Sequence, residues 1–99
     1  MSRDEVLALL KAALPDLQRR FGVRDLAVFG SVARNEAGPN SDVDILVAFE
    51  PGKPGGYFQF FALQEDLQSR LQTRVDLVTV EALKRQFLDR ILAEAIHAA

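Results

Sequence analysis

The stretch from Val43 to Phe49 constrains the fold more than any other part of the sequence. Its residues are mostly β-branched, aliphatic or aromatic, which is typical of a buried β-strand. Asp42 and Asp44 flank its first residue, and the i, i+2 spacing projects both carboxylates from one face of the strand. That placement conflicts with an ordinary apolar core, so the pattern predicts a buried strand whose first residues carry a functional site.

Helical and strand patterns alternate along the rest of the chain. Apolar residues recur at helical spacing from Ser2 to Phe21, where Pro15 predicts a kink or a second helix start. Further segments predict a strand at 26–29, a helical turn at 31–35, a helix containing Phe60, Leu63, Leu67 and Leu71, a strand at 74–80, and a helix from Glu81 to the C-terminus. This order predicts an α+β fold in which helices pack on a small mixed β-sheet.

Length and composition exclude several classes of protein. The 99 residues predict a single domain over 1–99, so any large acceptor must be another molecule. A net charge of −2 gives no reason to expect direct nucleic-acid binding, and the lack of cysteine excludes disulfides and thiolate chemistry. No apolar run approaches the roughly 20 residues that span a bilayer. We therefore expect a cytoplasmic protein with no membrane partner.

Carboxylates and a glycine-containing turn form the candidate site. Asp42 and Asp44 repel one another unless a proton, a cationic side chain or a metal ion balances them, and Mg²⁺ is the natural metal for oxygen ligands. Asp76 can join them if the strand at 74–80 pairs beside Val43 to Phe49. Gly30 and Ser31 follow a buried strand and open a helical turn, which favours a phosphate.

Each part of this site also has a plain structural interpretation. The aspartate pair is more often a solvated strand end, and Gly30 with Ser31 is more often a turn and helix cap. Arg34, which lies one turn after Ser31, can bind the same phosphate or simply be solvated. The joint spacing favours function: a glycine and a serine, ten intervening residues, Asp-Val-Asp, and a later strand aspartate.

The segment GSVARNEAGPNSDVDILV resembles the minimal nucleotidyltransferase branch of the superfamily related to DNA polymerase beta. The matching positions of the first motif are Phe29, Gly30, Ser31, Ala33, Arg34, Ser41, Asp42, Asp44 and Val47, and those of the later strand are Val75, Asp76, Leu77 and Val78. The helix and strand order agrees over nearly the whole chain. Two departures are Asn35 and Gln72, where the branch usually has glycine.

The resemblance implies a polymerase beta-like fold and a two-ion reaction. Asp42 and Asp44 would ligate Mg²⁺, with Asp76 as a third ligand or a base, and Gly30, Ser31, Arg34 and Ser41 would bind the nucleotide. Minimal members are typically antitoxins, so the resemblance also implies transfer of AMP from ATP to a tyrosine of a partner HEPN ribonuclease toxin. The alternatives are a non-catalytic antitoxin that neutralises its partner by occlusion, or transfer to a small molecule such as an aminoglycoside within a homodimer.

Two apolar regions bear on a partner. The last helix has apolar residues over more than one narrow stripe, which indicates a face for another protein in a homo- or hetero-oligomer. Tyr57, Phe58, Phe60 and Phe61 are interpreted mainly as core and loop packing, with anchoring of a partner by some of them as the alternative. His97, near the C-terminus, is expected to be a frayed terminal residue and not a catalytic base.

Overall fold

Helices and strands alternate along the chain largely as the sequence indicates. A computed structural model describes residues 1–53 and 56–98. The elements are α1 (Arg3–Phe21), β1 (Val23–Phe29), α2 (Gly30–Ala33), β2 (Val43–Phe49), α3 (Tyr57–Leu71), β3 (Val75–Thr79), a 3₁₀ turn (Val80–Ala82), α4 (Arg85–Glu94) and β4 (Ile96–His97). The predicted loop at 51–56 follows β2, and two of its residues, Pro54 and Gly55, lie outside the described part.

The strands form one mixed four-stranded sheet in the order β3-β2-β1-β4. β2 pairs in parallel with β3 and antiparallel with β1, and β4 pairs antiparallel with the other edge of β1. The predicted fold class, helices packed on a small mixed sheet, is confirmed. β2 lies between β1 and β3, so its side chains have neighbours from a strand on each side.

The core lies between the sheet and helices α1 and α3. Val43, Ile45 and Val47 alternate along β2 and are buried on one face of the sheet. The helices contribute apolar side chains at i, i+3 and i+4 spacing, namely Val6, Leu10, Ala13, Leu14, Leu17 and Phe21 from α1 and Leu63, Leu67 and Leu71 from α3. Asp42 and Asp44 therefore project toward the opposite face, away from these helices.

Helix α1 begins and ends with standard capping groups. The Ser2 hydroxyl accepts a hydrogen bond from the Glu5 amide, the Glu5 carboxylate accepts one from the Ser2 amide, and Gly22 ends the helix in the left-handed conformation. The helix runs continuously through Pro15, so the alternative of a second start there is wrong. The buried stripe on both sides of Pro15 holds the two halves in one helix.

The C-terminal segment differs from the single helix expected after Glu81. A 3₁₀ turn capped by the Thr79 hydroxyl comes first, α4 starts only at Arg85, and the chain then forms β4. Ile96 pairs with Val28 there, and His97 pairs with Ala27 and contacts Asp25 at 2.5 Å, so it is not frayed. β1 has an edge whose backbone groups need partners, which favours strand over helix at this point.

The aromatic run at the start of α3 is mostly on the surface, so its interpretation as packing was wrong for three of the four residues. Tyr57 is 83% exposed, Phe58 is 93% exposed and Phe61 is 54% exposed, while Phe60 packs against the core. The buried stripe of α3 runs through the three leucines, and helical geometry turns the other aromatic rings outward. Within the described residues, no helix is long and apolar enough to cross a membrane.

Asn35 and Gln72 both adopt left-handed backbone, with φ of 59° and 56°. These are the positions where the family resemblance leads one to expect glycine. An L-residue in this region carries a steric penalty from its Cβ, which is smaller for Asn than for most residues. Gln72 follows the last residue of α3, where glycine is the common choice.

We predict that Gln72→Gly raises the free energy of unfolding by about 0.5–1 kcal/mol, because the Cβ penalty disappears at the end of α3. Urea unfolding followed by circular dichroism measures this change. Gln72→Ala is the matched control, since it removes the side-chain bond to the Ser69 carbonyl but keeps the Cβ, and it should not stabilise the protein. A glycine variant no more stable than the wild type would contradict the prediction.

An ion-pair network joins α1 to α3. Arg20 donates to Asp66 at 2.7 Å and to Asp16 at 3.1 Å, and Arg70 donates to Asp16 at 2.6 Å and also to Asp66. Hydrogen bonding from Arg20 lowers the pKa of Asp16. Burial raises the pKa of Asp66, but the bonds from Arg70 and Arg20 outweigh that effect and the net pKa is lowered.

We predict that Asp66→Asn destabilises the protein at pH 7, and that its difference from the wild type vanishes at low pH. A lowered folded-state pKa gives stability above the unfolded value of about 3.9, and this stability is lost as the pH falls through the folded value. Thermal unfolding between pH 2 and pH 7 tests this. Asp89→Asn, which changes an exposed carboxylate of α4, should have little effect at any pH.

Candidate active site

Sheet register brings the predicted carboxylates into neighbouring positions. Asp44 in β2 lies opposite Phe29 at the end of β1 on one side, and it lies in register with Asp76 of β3 on the other. The expectation that β3 pairs beside β2 is confirmed. Since paired positions in neighbouring strands share a face, Asp44 and Asp76 project together from the sheet. Asp44 is therefore the centre of the candidate site.

Asp42 is less enclosed than Asp44. It precedes β2 by one residue, and its carboxylate pairs with the Arg74 guanidinium at 3.1 Å, with about 45% of the Asp42 side chain and 80% of the Arg74 side chain exposed. Arg74 directly precedes β3, so this ion pair joins the N-terminal ends of the parallel strands β2 and β3. An exposed pair of this kind contributes little stability and can separate readily.

Burial and like charge both act on Asp44. Partial burial raises its pKa, and the nearby carboxylates of Asp76 and Asp42 raise it further. Arg34 partly opposes this effect, and Glu94 adds to it. The fold therefore holds a carboxylate where its charge is unfavourable, which is the electrostatic condition that favours a bound cation.

Gly30 allows the close approach of Asp44. Its φ is +73°, and a Cβ built on it would lie 2.0 Å from the Asp44 Oδ2 atom. A side chain at position 30 would thus collide with the central carboxylate as well as strain the backbone. The glycine in the motif is explained by this close approach of the Asp44 carboxylate.

The amide of Gly30 and the guanidinium of Arg34 meet at one carboxylate. Glu94, at the end of α4, accepts a hydrogen bond from the Gly30 amide at 3.0 Å and another from Arg34 at 2.9 Å. Arg34 also donates to Glu36 at 3.0 Å. The structure thus brings Gly30 and Arg34 together as expected, and it adds an acidic residue that the sequence interpretation missed. The sequence could have indicated Glu94 only through a prediction that β4 pairs with β1.

The two serines of the candidate set lie in different surroundings. Ser31 is partly exposed in the first turn of α2, directly after Gly30. Ser41 closes the loop before β2: its hydroxyl accepts from the Gly38 amide at 2.9 Å, and its own amide donates to the Gly38 carbonyl at 3.2 Å. The described contacts of Ser41 therefore shape the loop that leads to Asp42.

Gly30 and Arg34 line a cavity of about 350 Å³ between β1, α2 and α4. Its lining combines apolar and charged groups, namely Phe29, Gly30, Arg34, Phe87, Arg90, Ile91 and Glu94. Two arginines beside a backbone amide suit an anionic ligand, and the apolar side chains suit a flat or aliphatic one. The cavity thus offers both kinds of contact and adjoins Asp44 through Gly30.

The residues present fit a hard divalent cation by chemistry and charge. Asp42, Asp44 and Asp76 supply only oxygen ligands, and partial burial together with the charges of Asp76 and Asp42 raises the pKa of Asp44. Within residues 1–53 and 56–98, no three acidic or histidine side chains already stand close enough to hold an ion. Ligation of one ion by all three aspartates would therefore require their side chains to move closer together.

Comparison with known proteins identifies the family of the chain. Residues 10–98 match the nucleotidyltransferase domain family. The protein adenylyltransferase MntA of Thermococcus cleftensis is 40% identical over 97 residues, which are 98% of this chain and 96% of that protein.

Two solved structures are also similar. One is described as a minimal nucleotidyltransferase, with 38% identity and a TM-score of 0.82 over 97% of this chain and 95% of that one. The other contains a tri-AMPylated HEPN toxin of Shewanella oneidensis with its MNT antitoxin. It has 18% identity and a TM-score of 0.60 over 98% of this chain and 68% of that one, and it supports the fold alone. The chain belongs to the nucleotidyltransferase domain family, in its minimal branch.

Proposed function

We propose that the protein transfers AMP from ATP to a tyrosine of a HEPN ribonuclease toxin and thereby acts as its antitoxin, with Mg²⁺ as cofactor. The proposal is supported by the MntA relative, which is named a protein adenylyltransferase, while the fold shared with the MNT antitoxin of the AMPylated complex is the reason for choosing a HEPN toxin as partner. ATP as substrate suggests that the reaction takes place in the cytoplasm. In this proposal the acceptor tyrosine belongs to the partner toxin.

The observation that carries the proposal is the contact between Gly30 and Asp44 beside Asp76. The turn that would bind a phosphate through the Gly30 amide lies against Asp44, and Asp44 is in register with Asp76. Nucleotidyl transfer needs a phosphate site and a cation site side by side, because the reaction moves negative charge between a nucleophile and a leaving pyrophosphate.

The residues divide between two roles. Asp42 and Asp44 would hold up to two Mg²⁺ ions, which supply charge neutralisation and activation of the acceptor oxygen when bound. Asp76 would be a third ligand or would accept the proton of the attacking hydroxyl. The Gly30 amide, Ser31 and Arg34 would orient the triphosphate, and Ser41 would keep the preceding loop in place for Asp42.

We predict that the double variant Asp42→Asn, Asp44→Asn loses labelling of the toxin by a factor of about a thousand or more, because two metal ligands are removed. The assay incubates the protein with Mg²⁺, ATP carrying a radioactive α-phosphate and the partner toxin, and then separates the products on a denaturing gel. Asp4→Asn, an exposed change in the first turn of α1, is the control and should label normally.

Undiminished labelling by the double variant would contradict this mechanism.

The same variants also test the second candidate function, neutralisation by occlusion, which the exposed Tyr57, Phe58, Phe87 and Leu92 favour. Under occlusion the double variant still protects cells against the toxin. Charge substitutions on the exposed face of α4, such as Leu92→Glu, abolish that protection.

We predict that Asp44→Asn alone raises the thermal midpoint at pH 7 in the absence of divalent ions. Burial, Asp76 and Asp42 raise the folded-state pKa of Asp44, so its ionisation destabilises the native state. The difference should shrink as the pH falls and disappear below the unfolded pKa of about 3.9, where both proteins carry a neutral group.

Adding Mg²⁺ should reverse the order, because an ion that binds only the native state stabilises it. The wild-type midpoint should then rise and the variant midpoint should change little, with NaCl at equal ionic strength as the control. A variant that is less stable than the wild type at pH 7 without Mg²⁺ would contradict the argument from charge.

A further inference from the structure

Glu94 reaches the Gly30 amide from the end of α4, just before the last strand. Ala27 pairs with His97 and Val28 pairs with Ile96, which fixes β4 beside β1, and Glu94 lies two residues before Ile96. Gly30 directly follows β1, and its amide donates to the Glu94 carboxylate at 3.0 Å. The pairing of β1 with β4 therefore brings the end of α4 close to the start of α2.

The contacts of Glu94 are those that an anionic ligand would make. One carboxylate oxygen accepts from the Gly30 amide and the other accepts from the Arg34 guanidinium. Hydrogen bonding from Arg34 and then from the Gly30 amide lowers the pKa of Glu94, so the group is ionised at neutral pH. A phosphate presents the same pair of charged oxygens to a backbone amide and a guanidinium.

Glu94 and a nucleotide phosphate cannot both accept from the Gly30 amide, because the amide has a single hydrogen and Glu94 already accepts it. Arg34 has five N–H donors and bonds both Glu94 and Glu36, so the exclusion rests on the Gly30 amide. An ionised Glu94 would also repel a triphosphate placed next to it, as it already acts on Asp44. Occupation of the site by nucleotide thus requires Glu94 to move.

The surroundings of Glu94 allow that movement. About 30% of its side chain is exposed, and α4 has no buried residue within it. Arg90 lies one turn earlier on α4, lines the same cavity and already attracts the Glu94 carboxylate. Because residues four apart on a helix are neighbours, Arg90 can receive Glu94 after it leaves Gly30.

We propose that Glu94 is an internal competitor of the nucleotide: it occupies the place of a phosphate on Gly30 and Arg34, and ATP binds only by displacing it. The inference rests on the proposed function, since it assumes that a nucleotide triphosphate is the ligand. Glu94 therefore sets the affinity of the site for nucleotide, and it selects for ligands with enough phosphate charge to replace a carboxylate.

Glu94→Gln tests the inference through nucleotide binding, measured by isothermal titration calorimetry with Mg²⁺ and a non-hydrolysable ATP analogue. The variant keeps the shape of the side chain and removes its charge, so the analogue should bind about tenfold more tightly than to the wild type. Glu36→Gln is the matched control: it removes the other carboxylate on Arg34 without touching the Gly30 amide, and should change affinity by less than about threefold.

A role in holding the turn would give the opposite result. If Glu94 mainly positions Gly30 and Arg34 for the nucleotide, Glu94→Gln weakens binding or leaves it unchanged, and the inference is overturned while the proposed function stands. If neither the wild type nor the variant binds the analogue, the proposed function fails together with the inference.

The movement itself has a separate readout by nuclear magnetic resonance. The Gly30 amide signal should shift when nucleotide is added to the wild type, and should shift in the free Glu94→Gln variant because its charged acceptor is gone. An amide signal that stays in place when nucleotide binds to the wild type would overturn the inference as well.

Discussion

The charge on Asp44 is the constraint to which the rest of the structure is adapted. The carboxylate lies at the start of an apolar strand, beside Asp76 and against the backbone of Gly30, where burial and like charge both disfavour its ionisation. Apolar packing on the other face of the sheet holds it there, since Val43 and Ile45 on either side are fixed in the core. Alternate residues of β2 therefore have different roles: Val43 and Ile45 pack in the core, and Asp44 projects into the candidate site.

Register carries this constraint across the whole sheet. The β1–β2 pairing sets Asp44 beside the end of β1, the β2–β3 pairing aligns Asp76 with it, and the β1–β4 pairing brings Glu94 to Gly30. A slip of one residue in the pairing of β2 with β3 would separate Asp44 and Asp76 onto opposite faces of the sheet. Four strands thus assemble the candidate site from separate segments, and the buried leucines of α1 and α3 keep the sheet in one arrangement.

The sequence alone was sufficient to predict those elements that depend on a local pattern of residues. Asp42 and Asp44 at the start of β2, the turn at Gly30 and the buried stripes of α1 and α3 all follow from spacing and residue type, and the structure confirms these elements. The two-residue strand β4 is too short to produce a periodic signal, so Glu94 could not be placed against Gly30. The roles of individual residues in binding metal and nucleotide stay predictions, because they depend on ligands.

Two charged side chains occupy the candidate site with the same signs of charge as the proposed ligands. Arg74 places a cation on Asp42, where Mg²⁺ would bind, and Glu94 places an anion on Arg34, where a phosphate would bind. Both pairs are partly exposed, so solvent screens them and their loss costs little. A Mg²⁺–ATP complex would bring the same two charges on one molecule, replacing Arg74 on Asp42 and Glu94 on Arg34 together. Mg²⁺ alone would replace only Arg74, and a nucleotide alone would replace only Glu94. This gives a physical reason for metal and nucleotide to bind cooperatively at this site.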